Sequence, residues 1–140
     1  MIAQTATNAF KTGLMNGDYD FSTDTFKIAL YTALASLGEN TAAYTSENEV
    51  SASGYSSGGA TLTVTATPTI SAGSTVAYIS FANVSWSAAI TARGALIYKY
   101  DGVTNPTVCV LDFGSDKIST STFQVQFPTA NSSNAILRIS

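Results

Sequence analysis

From Val50 to Ala92 the chain runs 43 residues without an Asp, Glu, Lys or Arg, and Thr, Val and Ile alternate there with Ser, Ala and Gly. That stretch is not a membrane span, because Thr61, Thr63, Thr65, Thr67 and Thr69 interrupt the apolar residues and no run of about 18 apolar residues occurs. It reads as β-sheet with a neutral hydroxyl face turned outward. Such a face packs against another protein without stripping water from charges, which costs several kcal/mol per unpaired ion. An assembly component is the expectation.

Composition supports it. At 140 residues the chain has the length of one domain, with enough material for a core that needs no staples. Only 11% of residues are charged, so much of the surface has to be Ser, Thr, Asn, Gly and apolar atoms. The net charge of −3 divides into −4 over residues 1–70 (two Lys against six acids) and +1 over residues 71–140 (four basic residues against three acids). The six basic residues are scattered singly and form no stripe for phosphates, so direct nucleic-acid binding is not expected. Cys109 is the lone cysteine and sits in Val108-Cys109-Val110, which predicts a small buried apolar residue and no internal disulfide. Met1 to Leu14 lacks a charged n-region followed by an apolar h-region, so no secretory signal is expected and folding in a cytoplasm is the default.

The pattern along the chain is one of short strands. Residues 1–23 read as an N-terminal arm or short helix, with Phe10, Leu14 and Met15 on one edge and Asn16-Gly17 as its stop. Phe26, Ile28 and Leu30 then alternate with Lys27, Ala29 and Tyr31 as a first strand. Residues 33 to 53 read as a long surface connection that allows a short helix at Ala33 to Leu37. Further strands are expected at Leu62 to Pro68, Thr75 to Phe81, Asn83 to Ser87, Arg93 to Tyr100, Thr107 to Phe113, Thr122 to Phe127 and Asn134 to Ile139, with Asp101-Gly102 and Gly114-Ser115-Asp116 as turns. About eight strands with no helical crossover predict an all-β, antiparallel two-sheet sandwich, jelly-roll-like, in one domain: residues 24–140 behind the N-terminal segment.

The chain has no histidine, which removes the usual general base, the Ser-His-Asp and Cys-His arrangements and imidazole metal sites. Lys11, Lys27, Lys99 and Lys117 sit in no nucleophile motif, and Ser115-Asp116-Lys117 reads as a polar turn. No enzyme activity, cofactor or metal is expected. Asp18, Asp20 and Asp24 gather carboxylates in one segment but match no calcium loop, so turn and cap roles are expected. Glu47 and Glu49 alternate on an extended segment, with nothing to place them across a cleft. Trp86 with Tyr78, Tyr98 and Tyr100 suggests either core or interface packing, or a platform for stacking sugars. The expected interface comprises Thr61, Thr63, Thr65, Thr67 and Trp86, and Arg93 with Asp112 is the expected structural ion pair.

Several segments taken together carry a resemblance: Asp24-Thr25-Phe26-Lys27-Ile28-Ala29-Leu30-Tyr31-Thr32, Asn48-Glu49-Val50, Gly54-Tyr55-Ser56-Ser57-Gly58-Gly59, Ile90-Thr91-Ala92-Arg93-Gly94-Ala95-Leu96-Ile97-Tyr98 and Val110-Leu111-Asp112-Phe113-Gly114. In this order, over roughly residues 24 to 139, the chain resembles the capsid cement (decoration) proteins of tailed bacteriophages, those of the short-tailed Bordetella phages above all. The resemblance implies a jelly-roll sandwich that associates with itself, a homodimer being the simplest closed form, and binds the outer surface of an icosahedral head. There it would clamp neighbouring major capsid subunits, with no membrane partner. A neck or tail component of the virion and a carbohydrate-binding module are the competing readings.

Overall fold

The computed structural model describes all 140 residues. In chain order the elements are β1 (Thr5–Ala6), α1 (Asn8–Asn16), β2 (Phe26–Tyr31), β3 (Ala60–Leu62), β4 (Val64–Ile70), β5 (Ala77–Phe81), β6 (Val84–Trp86), β7 (Thr91–Lys99), β8 (Thr107–Ile118), β9 (Phe123–Val125) and β10 (Leu137–Ile139). Every strand pairing is antiparallel, as expected. A five-stranded sheet in the order β1-β8-β7-β2-β3 faces a three-stranded sheet, β10-β5-β4, and a two-stranded ribbon, β6-β9. The fold is an all-β sandwich. Its strand order supplies the connectivity that spacing left open, and it contains two in-sheet hairpins, β4–β5 and β7–β8.

The layers meet because alternation along each strand turns its large apolar residues inward. Phe26, Ile28 and Leu30 of β2 and Ala95 and Ile97 of β7 pack against Ile79 and Phe81 of β5, Trp86 of β6, and Phe123 and Val125 of β9. Each large side chain buried there contributes about 1.5–3 kcal/mol relative to exposure. Phe21 stacks on Phe26 at 4.5 Å and closes the end of this core nearest α1.

The five-stranded sheet is buried on its other face as well, which the alternation alone does not announce. Ala29 and Tyr31 of β2, Leu96 and Tyr98 of β7 and Val110 of β8 form a second core with Ile2, Ala35 and Leu37. The segment expected to be a surface connection is therefore a cover for this face. The helix allowed at Ala33 to Leu37 does not form, because Leu37 bridges Ile2 in an extended pairing while Ala35 and Leu37 point into the second core.

The N-terminal segment is a helix integrated into the domain, not a free arm. The Thr7 side chain caps α1 by accepting from the Phe10 amide, and Gly17, at φ 78°, closes the other end. Thr7 is wholly buried, and its hydroxyl meets that of Thr107 at 2.9 Å. Phe10 enters the main core and packs edge-on against Tyr19.

A second correction concerns Gly114-Ser115-Asp116, which is no turn. β8 continues to Ile118, because Lys117 and Ile118 resume pairing with Ala92 and Thr91. The four residues Phe113 to Asp116 stand opposite Arg93 alone, a wide bulge in which Gly114 takes φ 80°.

Candidate functional site

The charge-free stretch folds into β3, β4, β5 and β6 with their connections, and the threonines lie outside. Thr61, Thr63, Thr65, Thr67 and Thr69 are all exposed, while Leu62 is buried and Val64 and Ala66 are half-covered. Thr63 marks the point where the chain leaves the five-stranded sheet for the three-stranded one. β4 is an edge strand of the smaller sheet, and its outer backbone has no partner. Its pairing with β5 is irregular, with register shifts between Val64 and Ala66 and again between Ala66 and Thr69. Pro68, which lacks an amide hydrogen, falls within the second shift. Bulges and proline are the devices that keep an edge strand from recruiting another strand. The backbone edge of β4 is thus poorly shaped to recruit another strand, while its threonine hydroxyls stand exposed.

Trp86 does not belong to that surface. It is buried in the main core, near Tyr55 at 5.9 Å and Phe123 at 6.3 Å between ring centres. Nor do Trp86, Tyr78, Tyr98 and Tyr100 converge into a sugar platform. Tyr98 is buried on the opposite face of the large sheet and stacks on Tyr44, Tyr100 lies under the Lys27 ammonium, and Tyr78 bonds with Ser71. Core packing claims Trp86 and Tyr98 because alternation sends Trp86 inward and Tyr98 into the second core.

The charged candidates take structural places. Arg93 Nε lies 3.2 Å from Asp112 Oδ1, with the side chains 37% and 27% exposed, so solvent screens the pair and it adds little to stability. The Gly114 amide and then Arg93 hold the Asp112 carboxyl below its usual range. Asp20 accepts the Ser22 amide, and Asp24 accepts the Asp20 amide and pairs with Lys99 at 3.2 Å. Asp18, Asp20 and Asp24 do not gather into a cluster fit for a metal ion. Lys117 donates to Ser115 Oγ at 3.1 Å on the exposed part of β8. Cys109 is buried, and burial pushes its thiol up to about 12.

Glu47 is exposed, but Glu49 has a role that its spacing from Glu47 does not suggest. Its carboxylate accepts from Tyr44 Oη at 2.6 Å, Tyr55 Oη at 2.7 Å, the Gly58 amide at 2.8 Å and Ser57 Oγ at 3.0 Å. Tyr55 Oη in turn accepts from the Leu30 amide, and Tyr98 Oη donates to the Gly58 carbonyl at 2.6 Å. With four donors on two oxygens, this carboxylate ties the residue 54–59 loop to β2 and β7. The signal available in the sequence was the placement of Tyr44 and Tyr55 five and six residues to either side of Glu49.

The buried phenols give the fold an alkaline limit. Burial, followed by the charge of Asp18, pushes Tyr19 up to about 12. Tyr31, Tyr55 and Tyr98 are raised too, each by burial first, with Glu49 adding to all three. Unfolded phenols ionise near pH 10, so above that pH the unfolded chain releases protons before the native one. Stability should hold below about pH 10 and fall as pH rises toward the folded values. Urea midpoints at pH 8, 9.5 and 11 would show this as a drop confined to the last interval, and an unchanged midpoint at pH 11 would contradict it.

No protein-family model, no curated protein and no solved structure matches the chain. The functional reading therefore rests on the chain's own residues and surface.

Proposed function

We propose that the protein is a non-enzymatic virion component, a capsid cement protein that binds the outside of a tailed-phage head and clamps neighbouring major capsid subunits. The observation that carries this reading is the exposure of Thr61 and Thr63 and of Thr65, Thr67 and Thr69 on the edge strand β4, in a stretch of 43 residues whose exposed part carries no charge. Such a surface loses little on desolvation, since no ion has to be stripped of water, and hydroxyls re-form hydrogen bonds with a partner's backbone. The segmental resemblance to cement proteins points the same way. In this role the neutral sandwich would add contacts that have to break before a pressurised shell opens, and many copies would multiply a modest contact energy. Self-association into dimers would suit bridging across a local two-fold axis.

The test is the number of copies per virion, measured by mass spectrometry against the major capsid protein. Near-equal stoichiometry is expected. A ratio of a few per hundred would replace the cement role with a neck or tail position. Absence from virions would discard both virion readings.

A further inference from the structure

The chain holds one Asn-Gly pair, Asn16-Gly17, and one Asp-Gly pair, Asp101-Gly102. In both, a side-chain carbonyl carbon precedes a backbone amide whose residue has no Cβ to shield it. Attack of that nitrogen on that carbon closes a five-membered succinimide, and the fold treats the two pairs in opposite ways.

At Asp101 the reacting groups are tied. Its Oδ1 accepts the Val103, Thr104 and Asn105 amides at 2.8 to 2.9 Å, and its Oδ2 accepts the Thr104 hydroxyl at 2.7 Å. The Gly102 amide donates to Asn105 Oδ1 at 3.1 Å. These bonds, that of the Asn105 amide first, hold the carboxyl well below its usual range, and an ionised carboxylate is a poor target for a nitrogen.

At Asn16 they are free. Met15, Asn16, Gly17 and Asp18 are all exposed, so this end of α1 has no core contact to lose. No hydrogen bond holds the Asn16 side chain, whereas the side chains of Asn8, Asn48, Asn83, Asn105 and Asn131 are all bonded. The Gly17 amide is shared between the Gly13 and Leu14 carbonyls, the latter at 3.3 Å, while the Asp18 amide takes the Gly13 carbonyl at 2.8 Å. Nothing lies within 4 Å of where a Cβ would stand on Gly17. Ring closure needs a ψ at Asn16 outside the helical well, and the last turn of a nine-residue helix reaches it by fraying, which costs little.

We propose that Asn16 is a site of spontaneous deamidation, with water as the reactant. Hydroxide takes the Gly17 amide proton, and the nitrogen attacks Asn16 Cγ. The new C–N bond forms as the Cγ–Nδ2 bond breaks, and ammonia leaves with a proton taken from water. Water then adds to either ring carbonyl and opens the succinimide, giving aspartate or, with the main chain routed through Cγ, isoaspartate. One water enters, one ammonia departs, and no oxidation state changes. The product places a carboxylate at the C-terminus of α1, where the helix dipole disfavours negative charge. Isoaspartate also inserts a backbone carbon ahead of Gly17, which displaces the amides that close the helix. The site does not depend on the cement role.

The experiment is to hold the full chain at pH 8.5 and 37 °C for two weeks, then to map its tryptic peptides by mass spectrometry. The peptide of residues 12–27 carries Asn16 as its one asparagine. It should gain the mass of an amide-to-acid exchange at least tenfold faster than any other asparagine-bearing peptide. Part of the product should accept a methyl group from protein isoaspartyl methyltransferase, and Asn16→Gln should remove both signals, since glutamine closes a six-membered ring far more slowly. Asp101 should yield no isoaspartate. A parallel sample unfolded in guanidinium shows what the fold itself does. Exchange at Asn16 in guanidinium alone would overturn the proposal, because the helix would then protect the site. So would faster exchange at another asparagine, aspartate without isoaspartate at position 16, or isoaspartate at Asp101 to the same extent.

Discussion

Gly59→Ala should remove about 2–5 kcal/mol of stability, whereas Gly17→Ala should remove only about 1 kcal/mol. Both glycines have positive φ, 76° and 78°, so the backbone cost of a side chain is alike at the two sites. They differ in what a Cβ would meet. At Gly17 nothing lies within 4 Å, while at Gly59 the methyl would collide with the Ile28 carbonyl and stand 2.8 Å from Ala29 Cα. Those atoms belong to β2, which is paired on both sides and buried on both faces, so it has nowhere to move. Relief would have to come from the residue 54–59 loop, whose bonds from the Gly58 amide to Glu49 and from Tyr98 to the Gly58 carbonyl oppose any shift. For a domain whose whole stability is of order 5–15 kcal/mol, such a loss is large. Urea denaturation of the two variants side by side gives the answer. Equal losses would mean that the loop yields freely and that Glu49 does not hold it.

The legibility of this fold followed the reach of each signal. Alternation in Phe26 to Tyr31 and in Phe123 to Val125 announced strands, because period two is a local property of the backbone. The same signal located the exposed threonines, since Leu62, Val64 and Ala66 between them require an inside. What it could not show was the second core, because Ala29 and Tyr31 look like an outer face until Ile2, Ala35 and Leu37 are brought over them from elsewhere in the chain. Gly114-Ser115-Asp116 misled for a related reason: its turn chemistry is real, and Gly114 does adopt positive φ, but pairing of Thr91 and Ala92 with Ile118 and Lys117 keeps the chain in the sheet. Trp86 joined the expected interface on its residue type, and its burial is a matter of which side of a three-residue strand faces the core. Glu49 was visible as a carboxylate, but of its four donors Tyr44 precedes it while Tyr55, Ser57 and the Gly58 amide come from the residue 54–59 loop, and only the folded loop turns them toward it.

Thr65→Lys should weaken attachment to phage heads at least a hundredfold while leaving the isolated protein's stability within about 0.5 kcal/mol of its starting value. Thr65 is exposed on β4, next to a register shift in the edge strand, so a lysine there extends into water in the free protein without displacing a core residue. Against a capsid subunit that ammonium would be covered, and no acid lies between Val50 and Ala92 to receive it. The loss of hydration of an unpaired ion costs several kcal/mol, and each 1.4 kcal/mol is tenfold in affinity. Thr65→Val separates charge from shape: it keeps the volume, removes the hydroxyl and should bind heads within about tenfold of the original, the effect of one hydrogen bond. Attachment through a neutral face should also change little between 50 and 500 mM salt, because there are few exposed charge pairs to screen. Sedimentation of heads with labelled protein measures all three quantities. If Thr65→Lys decorates heads as the original does, the threonine row is not the capsid contact. If attachment instead falls steeply with salt, a charged surface and not the neutral face meets the capsid.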